Sequence, residues 1–321
     1  MPSYEMTLEE LKSYTGYSPC PDDFDAFWED ALKELDGVDP APQFVPTAFC
    51  APDVTCYDLY FNGVRGARIH AKLLVPQNLK GLHPAVLQFH GYRGSAGPWY
   101  EKLGYAGSGF VVAALDCRGQ GGDSQDTVGV LGTTLEGQLI RGLSDKPENL
   151  LMRHIFLDTV QLARLVMQLP YVDSNKVGVM GGSQGGGLSI ACAALEPRIA
   201  RAAVDYPFLS DYKRVWMLNQ TIQNAYTELR IYFRDFDPLH RQEDTIFNRL
   251  GYIDVQNLAS RICAQTLMAI PLMDEVCPPS TQFAVYNKIK APKELCVYPD
   301  FGHEYIPVHA DTVFKFMSTL L

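Results

Sequence analysis

No apolar run in this chain is long enough to span a membrane. Its start, Met1 to Glu10, carries Glu5, Glu9 and Glu10 where a secretory leader would have a basic region and an apolar centre, so neither a membrane anchor nor a leader is expected. Positive charge is in deficit: 27 Lys and Arg stand against 37 Asp and Glu, a formal net charge of −10. That balance argues against a nucleic acid or an anionic membrane as partner, since both attract basic patches, and a neutral or cationic substrate fits better. The eight cysteines form no CxxC pair and no dense framework, so free thiols in a reducing cytoplasm are expected. HExxH, an EF-hand loop, GxxxxGK[ST] and a helix-opening GxGxxG are all absent, and no metal, nucleotide or other cofactor is called for.

What is present is a large apolar complement. Hydrophobic residues make up 47% of the 321 and charged residues 20%, enough for a sizeable core. After Asp22 and Asp23, which can cap a helix, Phe24, Phe27, Trp28, Ala31, Leu32 and Leu35 recur at helical spacing. Two strand-like runs, Val54 to Phe61 and Ala67 to Val75, meet near Asn62 and Gly63, a hairpin signal. Short apolar strands then alternate with helices: Ala85 to Phe89, Phe110 to Leu115, Val177 to Met180, Ile199 to Val204, Thr266 to Ile270 and Glu294 to Tyr298, with helices near 148–168, 184–195, 280–288 and 310–320. This alternation predicts an α/β fold with a mostly parallel sheet covered on both faces. Residues 211–262 interrupt it, with helical pieces around Thr221 to Phe236 and Glu243 to Leu250, and read as an inserted cap or interface segment. No repeat or linker divides the chain, so one domain over 1–321 is expected, with 1–80 as an N-terminal extension bearing antiparallel strands.

The run Gly178-Val-Met-Gly-Gly-Ser-Gln-Gly-Gly-Gly187 contains GxSxG centred on Ser183, between a strand and a helix. In a nucleophile elbow the chain turns so sharply that only small residues fit two positions either side of the serine, here Gly181 and Gly185. Serine needs a base, and of seven histidines His303 lies after the last strand and before the last helix, where the order Ser, acid, His places it. The acid should lie between them on a loop after a strand. Asp274 fits, with Glu275 its immediate rival and Asp254 and Asp300 weaker. Backbone N–H groups of Gln184 and Tyr92, the latter after the strand ending at Phe89, are the candidate oxyanion donors. Tyr92, Pro207 and Phe208 could close a small acyl pocket, and Arg118 and Gln120 could lock neighbouring loops.

Together, Arg118-Gly119-Gln120, Gly181-Gly182-Ser183-Gln184-Gly185 and His303-Glu304, in this order, resemble the acetyl xylan esterase and cephalosporin C deacetylase family. The likeness runs over nearly the whole chain, from Tyr14-Thr15-Gly16 through Gly63-Val64-Arg65-Gly66 to the final helix. One departure is Gly97-Pro98-Trp99, where the family usually has an acidic residue before the tryptophan; the form of the site entrance is thereby open. The resemblance implies an α/β-hydrolase fold and a Ser183, Asp274, His303 triad with Tyr92 and Gln184 as oxyanion donors and Glu304 as a neighbouring support. It further implies a homohexamer acting on small acetylated carbohydrates such as xylooligosaccharides, with cephalosporin C as a further substrate. A peptidase or lactonase with the same triad, or a noncatalytic binding protein on this scaffold, are the competing readings, because fold does not specify substrate.

Overall fold

The computed structural model describes residues 4–77, 80–131, 137–219 and 224–321. Among these residues nine strands form a single sheet: β1 (Gln43–Pro46), β2 (Val54–Asn62), β3 (Arg68–Pro76), β4 (His83–Phe89), β5 (Val111–Leu115), β6 (Val172–Gly182), β7 (Arg201–Asp205), β8 (Gln265–Pro271) and β9 (Lys293–Tyr298). Their spatial order is β1-β2-β3-β5-β4-β6-β7-β8-β9. The first three strands and the β3–β5 pair run antiparallel, and every pair from β5 through β4 to β9 is parallel.

Alternation along each strand divides the core between the two faces of the sheet. Ala85, Leu87, Ala113 and Leu115 turn to the larger cluster, with the helices Phe24–Asp36, Leu151–Met167 and Gln184–Leu195. Val86, Val112, Ala203 and Leu267 turn to a smaller one, with Tyr105 and with Val313, Phe316 and Met317 of the helix Pro307–Ser318. Every residue of Gln184–Leu195 is buried, so this helix has no polar face; it is fixed by its glycines and its surroundings rather than by amphipathic patterning.

Helix Phe24–Asp36 buries Phe24, Phe27, Trp28, Ala31 and Leu35, the stripe its spacing predicts. The expected cap does not form. Asp23 occupies the N-cap position without a side-chain cap bond, and its carboxylate instead accepts the Tyr252 hydroxyl from the inserted segment. The β2–β3 hairpin is present, but its left-handed residues are Arg65 (φ 60°) and Gly66 (φ 72°) rather than Asn62 and Gly63. Among the features that escape the sequence pattern are β1, four exposed residues ending in a proline, the short helix Leu103–Gly107, and helix Leu8–Ser13, held by a capping box between Thr7 and Glu10. Within 211–262 the helices are Tyr212–Met217, Thr227–Phe236, Glu243–Gly251 and Val255–Leu258. The expected helical start at Thr221 lies outside the described residues. Among the described residues no helix is long and apolar enough to cross a membrane.

Candidate active site

The register brings the carboxyl ends of five strands together: Phe89 pairs with Gly181, Gly182 with Asp205, Asp205 with Ala269, and Pro271 with Tyr298. Open parallel sheets place their sites at this edge. Ser183 sits between the end of β6 and the start of helix Gln184–Leu195 with φ 56° and ψ −121°, a conformation that costs a non-glycine residue on the order of 1–3 kcal/mol. Its N–H donates to Asp205 O (3.0 Å), and its carbonyl accepts from Gly187 N (3.0 Å) and Phe208 N (2.9 Å). The flanking glycines are required by space: a Cβ on Gly181 would lie 2.6 Å from Phe89 O, and one on Gly185 only 2.1 Å from it.

His303 Nε2 lies 2.9 Å from Ser183 Oγ, and its Nδ1 lies 2.9 Å from Asp274 Oδ2. Asp274 is fully buried, on the loop after β8, and its other oxygen accepts from Val276 N (2.9 Å) and Cys277 N (2.8 Å). Gln282 Nε2 adds a fourth donor at 3.2 Å, a contact with no signal in the sequence motif. So held, the carboxylate fixes the imidazole tautomer with N–H toward Asp274, leaving Nε2 to accept the serine proton. The rivals are not placed to do this: Glu275 and Asp300 are exposed, and Asp254 accepts backbone N–H groups of Asp211 and Gln256. Asp274, Cys277 and His303 also form a cluster of metal-type ligands, but the Asp274 oxygens are already taken by the four donors named above.

A cavity of about 980 Å³ opens over Ser183 and His303, with Tyr92 and Tyr206 among its aromatic walls and Glu101 and Glu304 on its sides. Pro207 and Phe208, expected in an acyl pocket, do not line it. The positive φ of Tyr206 (34°) reverses the chain after β7, so Tyr206 fills that place with its ring 5.1 Å from the His303 ring, while Pro207 and Phe208 are buried beside Gly186 and Gly187. Phe208 reaches the site only from behind, its ring 5.3 Å from that of Tyr92. Glu304 is exposed and its Oε1 accepts Gly302 N (3.1 Å), a bond that shapes the histidine loop. Trp99 stacks on Phe49 and is not among the residues lining the cavity, whose acids are Glu101 and Glu304.

The turn carrying Tyr92 is joined to the loop after β5 at successive points. His90 Nε2 accepts Cys117 N (3.1 Å) while its Nδ1–H donates to Gly91 O (2.7 Å), and burial lowers its pKa, which suits this neutral form. Gln120 Oε1 accepts Arg93 N (2.9 Å), and Gln120 and Gln184 exchange side-chain amide bonds of 2.8 and 3.0 Å. Arg118 takes a different part. Fully buried, it makes two 2.6 Å bonds to Asp158 and one to Val64 O (3.1 Å), tying the loop to helix Leu151–Met167 and to the β2–β3 connection. A Cβ on Gly63 would fall 2.4 Å from Asp158 Oδ1, which explains that glycine.

Comparison with known proteins identifies the family. The acetyl xylan esterase (AXE1) family model matches residues 1–320. The crystal structure of acetyl xylan esterase 1 from Thermoanaerobacterium sp. JW/SL YS485 superposes with a TM-score of 0.97 at 55% identity, covering 99% of both chains. An acetyl xylan esterase from Paenibacillus sp. R4 superposes at 0.94 with 35% identity, covering 98% of this chain and 100% of that one. The acetyl esterase Axe7A of Xylanibacter ruminicola is 31% identical over 307 residues, 92% of this chain; the chain spans 65% of the length of that relative. The fold is the α/β-hydrolase fold, and the chain belongs to the acetyl xylan esterase family of carboxylic ester hydrolases.

Proposed function

We propose that this chain is a serine esterase that removes acetyl groups from small acetylated carbohydrates, xylooligosaccharides among them, through an acetyl-enzyme. The observation that carries the reading is the pair of 2.9 Å contacts joining Ser183, His303 and Asp274 beneath an open cavity. His303 takes the Ser183 proton as Oγ attacks the acetyl carbonyl, and Asp274 stabilises the imidazolium. The N–H groups of Tyr92 and Gln184 receive the oxyanion; the tight approach of the Phe89 carbonyl to Gly185 supports their pairing, since it brings the two turns together. Collapse passes the imidazolium proton to the departing sugar oxygen and leaves Ser183 acetylated. Water, deprotonated by the same histidine, then attacks the acetyl carbonyl, and acetate leaves as Oγ recovers its proton. Tyr92 and Tyr206 border the acyl group in this reading.

The same acetyl ester occurs on cephalosporin C, a secondary substrate of this proposal. We extend it to a homohexamer, on the family likeness, and to a reducing cytoplasm, which the eight free thiols suit. The test is a panel of acetylated xylooligosaccharides, octanoyl esters, lactones and peptides with the native chain and Ser183→Ala. Acetyl esters are expected to turn over far faster than the rest, and Ser183→Ala to lose at least about three orders of magnitude in kcat. Undiminished hydrolysis by the variant, or a preference for peptides or lactones, overturns the reading.

A further inference from the structure

Outside the triad, buried His70 connects to the site through an unbroken series of short contacts. His70, in the middle of β3, is 1% exposed, yet both ring nitrogens face carboxylates: Nδ1 lies 2.6 Å from Asp116 Oδ2 and Nε2 lies 3.1 Å from Asp58 Oδ1. A neutral imidazole can donate from one nitrogen only, so two carboxylate partners select the doubly protonated imidazolium. Asp116, at the end of β5, also accepts Ala96 N (2.6 Å) and Asp123 N (3.1 Å). It thereby holds the last of the contacts between the 90–97 turn and the 116–124 loop: His90 with Cys117, Arg93 with Gln120, Gly94 with Gly121, and Ala96 with Asp116. The loops are packed without slack, because a Cβ on Gly122 would lie 2.0 Å from the Asp116 carboxyl carbon and one on Gly121 2.9 Å from Arg93 O.

We infer that His70, as an imidazolium clamped between Asp58 and Asp116, is a positioning residue for the oxyanion turn, and that its loss of a proton sets an alkaline limit to activity. The inference rests on the proposed role of the Tyr92 N–H. When His70 loses its proton, one of its two carboxylate bonds goes, and Asp58 and Asp116 face each other without the cation between them. Asp116 is then free to turn from Ala96 N, and the turn that aims Tyr92 N–H loosens. A displacement on the order of 1 Å in such a turn is enough to cost about a hundredfold in rate.

The other groups facing this cluster are few among the described residues. Tyr60, opposite His70 on β2, places its ring 4.9 Å from the imidazole, and the Arg68 guanidinium lies over the same ring at 5.7 Å. Asp123 and Ser124 close it from the 116–124 loop, Ser124 Oγ accepting His70 N (2.8 Å). Lys72 donates to Gly97 O and Lys102 to Pro98 O (3.2 Å), both on the same turn. Burial alone would lower the pKa of His70, but the Asp116 and Asp58 bonds outweigh it and raise it, the direction the geometry requires.

The experiment is the pH dependence of kcat and KM on a neutral acetyl ester, with unfolding followed in parallel. The native chain is expected to show an acid limb and a separate alkaline limb. Asp58→Asn keeps the Asp116 bond and removes one counter-charge, so its alkaline limb should move down by about one pH unit while the acid limb stays. His70→Gln should lower kcat about tenfold to a hundredfold with KM little changed, and should abolish the alkaline limb. An Asp58→Asn profile that superimposes on the native one overturns the inference, and so does an alkaline limb that persists in His70→Gln. Neither result touches the esterase reading, which fails only if hydrolysis survives Ser183→Ala or acetyl esters are not preferred.

Discussion

At the residue scale, the triad was the easiest part of the site to read and the pocket the hardest. Ser183, His303 and Asp274 each lie just after a strand, and chain order with a glycine pattern is enough to single them out before any contact is known. The choice of Asp274 over Glu275 is then made by burial and by its four donors, neither of which a sequence displays. Because those donors include two backbone N–H groups, Asp274→Asn should fold, and its amide should disturb the His303 tautomer rather than the loop. A fall in kcat of about 10⁴ with KM within a few-fold is expected from steady-state kinetics, and loss of that order separates an orienting carboxylate from a mere turn residue. The pocket was misread at Pro207 and Phe208 because Tyr206 adopts a left-handed φ of 34°, which nothing in a tyrosine announces. Gln282 and His70 carry no motif signal: Gln282 meets Asp274 from the helix that follows its loop, and His70 meets Asp116 from a strand far away in sequence.

At the scale of elements, legibility followed burial pattern and length. A strand buried on both faces reads clearly, as β5 does with all five positions buried, because a continuous apolar run leaves little choice; β2 reads by its hairpin signal instead. Edge strand β1 carries no such signal, being exposed throughout. The elbow is where local chemistry and packing agree most tightly, since Gly185 is needed for the turn and for the passage of the neighbouring strand end. Gly185→Ala would set a methyl group 2.1 Å from Phe89 O, and because the obstacle is backbone, no side chain can move aside. The helix or the end of β4 must shift, and either displaces one of the two N–H groups proposed for the oxyanion from the other. We expect Gly185→Ala to lose kcat by about a hundredfold or more and to unfold at lower temperature, typically 1–3 kcal/mol less stable as for other overpacked sites. Native kinetics from a folded Gly185→Ala chain would show that the close approach at the elbow is not needed.

For the whole molecule, the buried acids of the inserted segment decide how stability varies with pH. Glu228 is 2% exposed, and burial raises its carboxyl from an ordinary 4.5 to about 7. Its Oε2 accepts Leu139 N (2.7 Å) and Ile140 N (3.3 Å), but Oε1 has no hydrogen bond and only the exposed Arg93 guanidinium at 3.9 Å, so the charged form is under-served. Asp254, fully buried, is raised to about 6, first by burial and then by the charge of Asp211. For both, the folded state binds a proton more tightly than the unfolded one. Their contribution is therefore whole below the unfolded pKa, near 4, and is lost as pH rises through 6 to 7. Glu34 and Glu196 act in the opposite sense: burial opposes them, but bonds from Arg65 and Arg153 to the first and from Arg198 and Arg164 to the second hold their pKa values down. Their contribution is present above the unfolded value and disappears as pH falls through the folded one. Stability should thus peak on the mildly acidic side and decline toward pH 8. Replacing Glu228 with Gln keeps an acceptor for Leu139 and Ile140 and removes the titration, so thermal unfolding between pH 5 and pH 8 should fall less steeply in the variant. The difference in slope should integrate to on the order of 3 kcal/mol, the free energy of a shift from 4.5 to about 7. Parallel curves for the two proteins would mean that Glu228 is ionised throughout and that the inserted segment is joined to the body without a pH-sensitive carboxyl.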